Sequence, residues 1–213
     1  PVVNIEKGKL HGSFVKNFER GAELPRIVSI DAGTKVNVVP PKAKLVAEGL
    51  DINEVKAEAD KVSAETGIKF SLETEPVFEI TAMGVNAHGS TPQNGKNAIT
   101  GLLLLVSRLK FAKSKQVEIL NNLYKLMPHG ETDGETLGLK CSDERSGALT
   151  LAFSMLKVTE DSIDGGFDLR CPVTASTDTI MTTLRNKLGE AGVELTNKSM
   201  TAPHEVPGDG HFV

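Results

Sequence analysis

Apolar and polar positions along the chain alternate between a period of two and a period of three to four, and each switch marks a new element. Residues 27–30 form a short apolar run that ends in the turn Asp31-Ala32-Gly33-Thr34. Val36 and Val38 flank Asn37 before Pro40-Pro41, and residues 44–49 complete a strand pattern. Residues 51–65 then read as a helix, with Ile52, Val55, Ala59 and Val62 on one face and Glu and Lys on the other. Asp51 is placed to cap it, with Glu54 completing a capping box, and Gly67 to stop it. Phe70 and Leu72 alternate in a strand before Pro76, and Phe78, Ile80 and Ala82 in the next, which delivers His88.

From about residue 97 to 111 the helical period returns with two apolar stripes, Ala98-Leu102-Leu105-Leu109 and Ile99-Leu103-Val106. So wide a face requires a sheet or a second helix against it, because burying each Leu is worth roughly 1.5–3 kcal/mol. Residues 113–147 are the least regular. Val117, Leu120, Leu123 and Met127 predict a helix, ended by Pro128-His129-Gly130. Residues 149–155 alternate as a strand, and a turn at Thr159-Glu160-Asp161 follows. The next strand sets Ile163, Gly165, Phe167, Leu169 and Cys171 on one face and Asp164, Gly166, Asp168 and Arg170 on the other. Thr177 or Ser176 caps a last helix lined by Ile180, Leu184 and Leu188, which Gly192 ends before a closing strand at 193–195. The order βαββα, an irregular link, then ββαβ predicts an α+β fold of two sheets, each covered by helices on one face.

Composition narrows the function. The 213 residues carry a net charge of −4 with no basic stripe, one Tyr and no Trp, which argues against nucleic acid. The longest apolar run, near 102–106, is far too short to cross a bilayer. Nothing at the start reads as a signal peptide, and two cysteines, Cys141 and Cys171, make no disulfide framework, so a reducing cytoplasm is expected. Cys171 reads as a buried thiol. The chain starts without Met and ends after a Pro/Gly linker, which gives the expectation of a domain excised from a longer chain.

The candidate chemistry is sparse. His88 opens a turn rich in Gly, Asn, Ser and Pro between a strand and a helix N-terminus. That position suits an anion or a polarised carbonyl, and equally a polar loop histidine without a task. Asn37 by itself reads as a turn residue, and Asp168 and Arg170 as an ion pair on one strand face. His11-Gly12 reads as a solvated turn, and Glu6 as structural. The acidic cluster Glu131, Asp133, Glu135 lacks EF-hand spacing and reads as a solvated loop.

A resemblance adds to this. Ala87-His88-Gly89-Ser90-Thr91-Pro92 followed by Gly95-Lys96-Asn97-Ala98 resembles the lid-domain signature of the aminoacylase/carboxypeptidase superfamily of zinc exopeptidases, and most of all its PepV-type dipeptidases. Asn37-Val38-Val39-Pro40, His129-Gly130, Asp143-Glu144-Arg145-Ser146-Gly147 and Asp168-Leu169-Arg170 resemble further PepV-type motifs in the same order. The resemblance implies two ferredoxin-like αβ subdomains forming one lid, at residues 1–112 and 113–203, with 204–213 as a return linker to the catalytic domain. It implies a dipeptidase in which His88 stabilises the oxyanion, Arg170 grips the substrate carboxylate and Asn37 assists. It places a dinuclear zinc site in a catalytic domain outside this chain, with no metal ligand here. Further expectations are an inactive isolated fragment and a monomer, with a dipeptide and the same chain's catalytic domain as partners. The rival reading is a stand-alone, non-enzymatic binding or interaction module on a ferredoxin-like scaffold.

Overall fold

The computed structural model describes residues 5–206. Residues 1–4 and 207–213, the latter most of the expected return linker, lie outside the described residues. The chain forms β1 (Ile5–Glu6), β2 (Gly8–Asn17), β3 (Arg26–Ala32), β4 (Val38–Val39), β5 (Lys42–Glu48) and α1 (Ile52–Thr66). Next come β6 (Lys69–Glu73), β7 (Phe78–Met83), β8 (Ala87–His88), a 3-10 turn (Pro92–Asn94), α2 (Ala98–Arg108) and α3 (Lys115–Leu126). The last part holds β9 (Ser142–Asp143), β10 (Gly147–Ala148), β11 (Thr150–Val158), β12 (Ser162–Cys171), α4 (Thr177–Ala191), β13 (Glu194–Leu195) and β14 (His204–Glu205).

The helices begin and end where their side chains satisfy the free backbone groups. Asp51 accepts the N–H groups of Asn53 and Glu54 at the start of α1, and Gly67 ends it in the left-handed region at φ 74°. Asn97, Ser114 and Ser176 cap α2, α3 and α4, and Gly192 closes α4 at φ 102°. The helix read from about 97 to 111 stops earlier, at Arg108, because Leu109 already has extended backbone.

Eight strands make one antiparallel sheet in the order β13-β2-β12-β11-β3-β5-β7-β6. The fold is α+β, as the pattern predicts, with the two expected sheets merged into this one. Its two halves share one sheet, joined where Leu156, Lys157 and Val158 of β11 pair with Ala32, Asp31 and Ile30 of β3. The helices form a single layer, α1 against α2, α2 against α3 and α3 against α4. Alternation decides which face they cover. Leu10 and Phe14 of β2, Leu45 of β5, Ile80 of β7 and Phe167 of β12 are buried in the helix-side core. Lys9, His11, Lys42 and Asp164 lie on the face without helices and are exposed.

His11 and Gly12 are the main departure from the pattern. They lie inside β2, which pairs with β12 along its whole length, and not in a solvated turn. Gly12 faces Phe167 and Gly165 faces Phe14, so each ring covers the glycine on the neighbouring strand. A Cβ on Gly12 would stand 2.1 Å from Phe167 Cζ, so only glycine fits there. The Phe14 ring also meets Phe153, with centroids 5.9 Å apart, and stacks on Phe167 at 6.4 Å. Cys171 is fully buried, as expected.

Candidate functional site

Beyond Ala32 the strands β3 and β11 part. Gly33 turns the chain away at φ 83°, where a Cβ would strike the Ser154 carbonyl. Ser154 is the extra residue of a bulge in β11, between Phe153 and Met155. The gap so formed is occupied by a small arm in which β4 pairs with β8, Val38 opposite His88 and Val39 opposite Ala87. The histidine is therefore delivered by this arm and not directly by β7. Backbone hydrogen bonds lace the arm to its surroundings: Gly84 N–H to Pro41 O at 2.8 Å, Val85 N–H to Lys96 O at 2.9 Å, and Ala98 N–H to Pro40 O at 3.0 Å. Asn97 closes the base. Its Oδ1 accepts Ile99 N–H at 2.9 Å and Thr100 N–H at 3.2 Å, and its Nδ2 donates to Phe153 O at 2.7 Å. The Asn-Ala step that opens α2 thus ties the first half of the chain to β11.

His88 is exposed at the arm's end. Its Nδ1 accepts the Ser90 N–H at 3.1 Å and lies 2.7 Å from Ser90 Oγ. With Nδ1 so engaged, the neutral ring carries its hydrogen on Nε2, and Nε2 makes no hydrogen bond among the described residues. Gly89 follows. Its N–H donates to the Asn37 carbonyl at 2.7 Å, which joins two of the residues singled out from sequence. Gly89 also rests on Asp168 of β12: a Cβ there would stand 2.0 Å from Asp168 Oδ2.

Asp168 is fully buried, and its Oδ2 accepts from Arg170 Nε at 3.3 Å, long for an ionic hydrogen bond. Arg170 is partly buried and lines a pocket of about 450 Å³ together with Ser90, Lys7, Lys9, Glu6 and Thr201. His88, Asn37 and Arg170 therefore belong to one cluster, connected through Gly89, Ser90 and Asp168. Three cations and one carboxylate, Glu6, face this pocket, which suits an anionic group. Burial pushes the Lys7 ammonium below the ordinary lysine value, and its Nζ donates to Ala148 O at 2.5 Å.

Lys7, Lys9 and Ser90 were not singled out by the sequence reading. The signal for Lys9 was available, since Lys9 and His11 alternate against Leu10 and Phe14. His129 stands apart from this cluster. Its Nδ1 is 2.8 Å from Thr100 Oγ1 at a smaller pocket of about 200 Å³ beside the start of α2, and burial holds its pKa below the ordinary histidine value. Asp143 is a brace for the β9–β10 hairpin. It accepts from Ser146 N–H at 2.6 Å and from Arg145 N–H at 3.0 Å, and from the Ser146 and Thr174 hydroxyls. The Ser146 N–H foremost holds its carboxyl well below the usual carboxylate range. Glu131 and Asp133 are spent within their own loop, on Thr136 and on Glu135 N–H and Lys140. No helix among the described residues is long and apolar enough to cross a membrane.

No family model matches the chain. The "Putative dipeptidase YtjP" of Bacillus subtilis (strain 168) is 30% identical over 221 residues, covering 100% of this chain and 46% of that protein. The β-Ala-Xaa dipeptidase of Lactobacillus delbrueckii subsp. lactis is 27% identical over 217 residues, covering 100% of this chain and 45% of that protein. A crystal structure of aminoacylhistidine dipeptidase from Vibrio alginolyticus aligns with 98% of this chain and 47% of its own, at a TM-score of 0.43 and 11% identity. So low a TM-score carries no weight. This chain spans about half the length of the curated relatives it matches. Over its whole length the chain is homologous to part of these dipeptidases, and the resemblance drawn from its motifs holds: it is a dipeptidase-related domain.

Proposed function

We propose that this chain is the substrate-covering lid of a metal-dependent dipeptidase, acting with a catalytic domain carried by the same polypeptide in the cytoplasm, as a monomer. The observation that carries the reading is the single cluster formed by the exposed His88 Nε2, the Asn37 turn and the cationic pocket around Arg170. A dipeptide presents a carbonyl to be attacked and, one residue away, a free carboxylate. A hydrogen-bond donor beside an arginine pocket answers both. The stand-alone module is the weaker reading, because the alignment of this whole chain with part of two dipeptidases leaves it without an observation of its own.

In this reading Arg170 binds the C-terminal carboxylate, for which its planar fork is suited. His88 donates from Nε2 to the oxygen on which negative charge develops, while Ser90 holds the other ring nitrogen. Asn37, half-buried beside Gly89, offers its side-chain amide to the same oxygen or to the substrate backbone. The resemblance places zinc in a catalytic domain outside this chain. Among the described residues no three His, Cys, Asp or Glu side chains come together as ligands. Any metal would be held elsewhere in the longer protein.

The test is steady-state kinetics on the full-length protein with a dipeptide substrate. His88→Ala should lower kcat by roughly 10²–10³, since a donor used only in the transition state affects kcat before KM. Arg170→Ala should raise KM at least as much as it lowers kcat, because bound substrate already makes that contact. Wild-type kcat in His88→Ala would return this residue to an ordinary loop histidine.

A further inference from the structure

Asp168 is fully buried although it projects from the face of β12 that carries no helices. What covers it is the Gly89 turn. Its surroundings are meagre for a carboxylate. Among the described residues Oδ2 accepts only from Arg170 Nε, at 3.3 Å, and Oδ1 has no hydrogen-bond partner. The imidazole of His11 lies directly across from it on β2, with Nε2 at 3.5 Å from Oδ1. On the opposite side the neighbouring strand offers Ala152.

A carboxylate buried on these terms is a poor stabiliser, because desolvation offsets most of what the ion pair returns. An apolar side chain of the same size would fill the space beneath Gly89 at lower cost. What the carboxylate supplies is an acceptor for Arg170 Nε. The guanidinium is planar, with its donors in a fixed fork. Once Nε is held, the plane of the group is largely set. Nη1 and Nη2, which have no partner among the described residues, remain available to the pocket that Arg170 shares with Lys7, Lys9 and Ser90. An unrestrained arginine loses rotamer freedom when it takes a ligand, and one already oriented loses less. The same Oδ2 limits how closely Gly89 can approach, and Gly89 is bonded to His88 and hydrogen-bonded to Asn37.

We propose that Asp168 is a positioning residue, which presents the Arg170 fork to the substrate carboxylate and sets its spacing from the His88 turn. The proposal rests on the dipeptidase reading above. It is tested in the full-length protein by pairing Asp168→Asn, which keeps the size and removes the charge, with Arg170→Ala. With a dipeptide, Asp168→Asn should raise KM about tenfold while kcat falls no more than about twofold. With the matching dipeptide amide, which has no carboxylate, KM should not change. In the Arg170→Ala background, Asp168→Asn should add nothing. Equal losses on acid and amide, or additive losses in the double variant, would overturn the proposal and leave Asp168 a structural residue. Wild-type KM in Arg170→Ala alone would sink the carboxylate clamp, and Asp168's task with it. A measurement on the unaltered protein stands whether or not Asp168→Asn folds. The Arg170 Nε–Hε signal should be resolved and protected from exchange in ¹H–¹⁵N spectra; exchange as fast as at exposed arginines overturns the proposal.

Discussion

Asn97 joins the two halves of the sheet, and its replacement separates two effects. One is the helix cap: Asn97 Oδ1 receives the N–H groups of Ile99 and Thr100. The other is the link from Nδ2 to Phe153 O, at 2.7 Å, across to β11. Losing an N-cap costs about 1 kcal/mol, and leaving a buried carbonyl without its donor about 1–3 kcal/mol. Asn97→Ala loses both and should destabilise the chain by about 2–4 kcal/mol. Asn97→Ser keeps a capping oxygen but is too short to reach Phe153, so it should lose only the second part, about 1–3 kcal/mol. Urea unfolding followed by circular dichroism gives both values, provided the slopes with denaturant stay equal. Tyr124 on α3 is the chain's one tyrosine and there is no tryptophan, so its fluorescence is a second probe of the same transition. Coincident curves in the wild type would show that the halves unfold together. A Ser variant as stable as wild type would refute the link to β11, and an Ala variant within about 0.5 kcal/mol would refute the cap as well.

Two further perturbations test the packing and the half-buried His129. Gly12→Ala drives a methyl into the Phe167 ring and should cost about 1–3 kcal/mol, with a smaller effect in a Phe167→Leu background, both read from urea midpoints. His129 has its pKa lowered by burial, so the unfolded chain binds the proton more readily than the folded one. Its contribution is complete above the ordinary histidine pKa of about 6.5 and is lost as pH falls through the folded value. The urea midpoint should therefore drop on acidification below about pH 6.5, and His129→Gln should flatten that part of the profile; an unchanged slope would refute it.

The parts of the fold that were legible in the sequence are those whose determinants are local. The α1 cap at Asp51, its apolar face at Val55, Ala59 and Val62, and its stop at Gly67 lie within one short segment. The two faces of β12 were equally plain, because the apolar Phe167 and Leu169 alternate with the charged Asp168 and Arg170. β2 was not legible. Its core-facing positions at Gly8 and Gly12 carry no apolar marker, and the missing bulk at Gly12 comes from Phe167, remote in sequence. The β4–β8 arm was equally hidden, since two-residue strands have no period to read. The cluster around Arg170 divides the same way. Motifs singled out Asn37, His88 and Arg170, but the roles of Lys7, Lys9 and the buried Asp168 depend on strand order, which no local pattern contains.

The split between β3 and β11 explains why the polar residues collect where they do. A continuous ladder there would have consumed the backbone groups of β11 and left a flat sheet face. Instead the strands part after three paired residues, and the edge of β11 is satisfied from elsewhere: Leu151 N–H by Thr132 O, and Phe153 O by Asn97. Such an edge cannot remain bare, because unpaired buried backbone groups are costly. The arm that fills it is held by carbonyls of Pro40, Pro41 and Asn37, so it is rigid although it has almost no regular structure. A rigid arm ending in His88, overhanging a strand that carries Arg170, holds two groups from distant parts of the chain at a fixed separation. On the dipeptidase reading proposed above, fixed separation is what a substrate with two recognised ends requires, since a donor on a loose loop would have to be ordered at each turnover. The bulge at Ser154, the glycine at 33 and the glycine at 89 are then parts of one construction, in which the sheet is opened so that a site can be built in the opening.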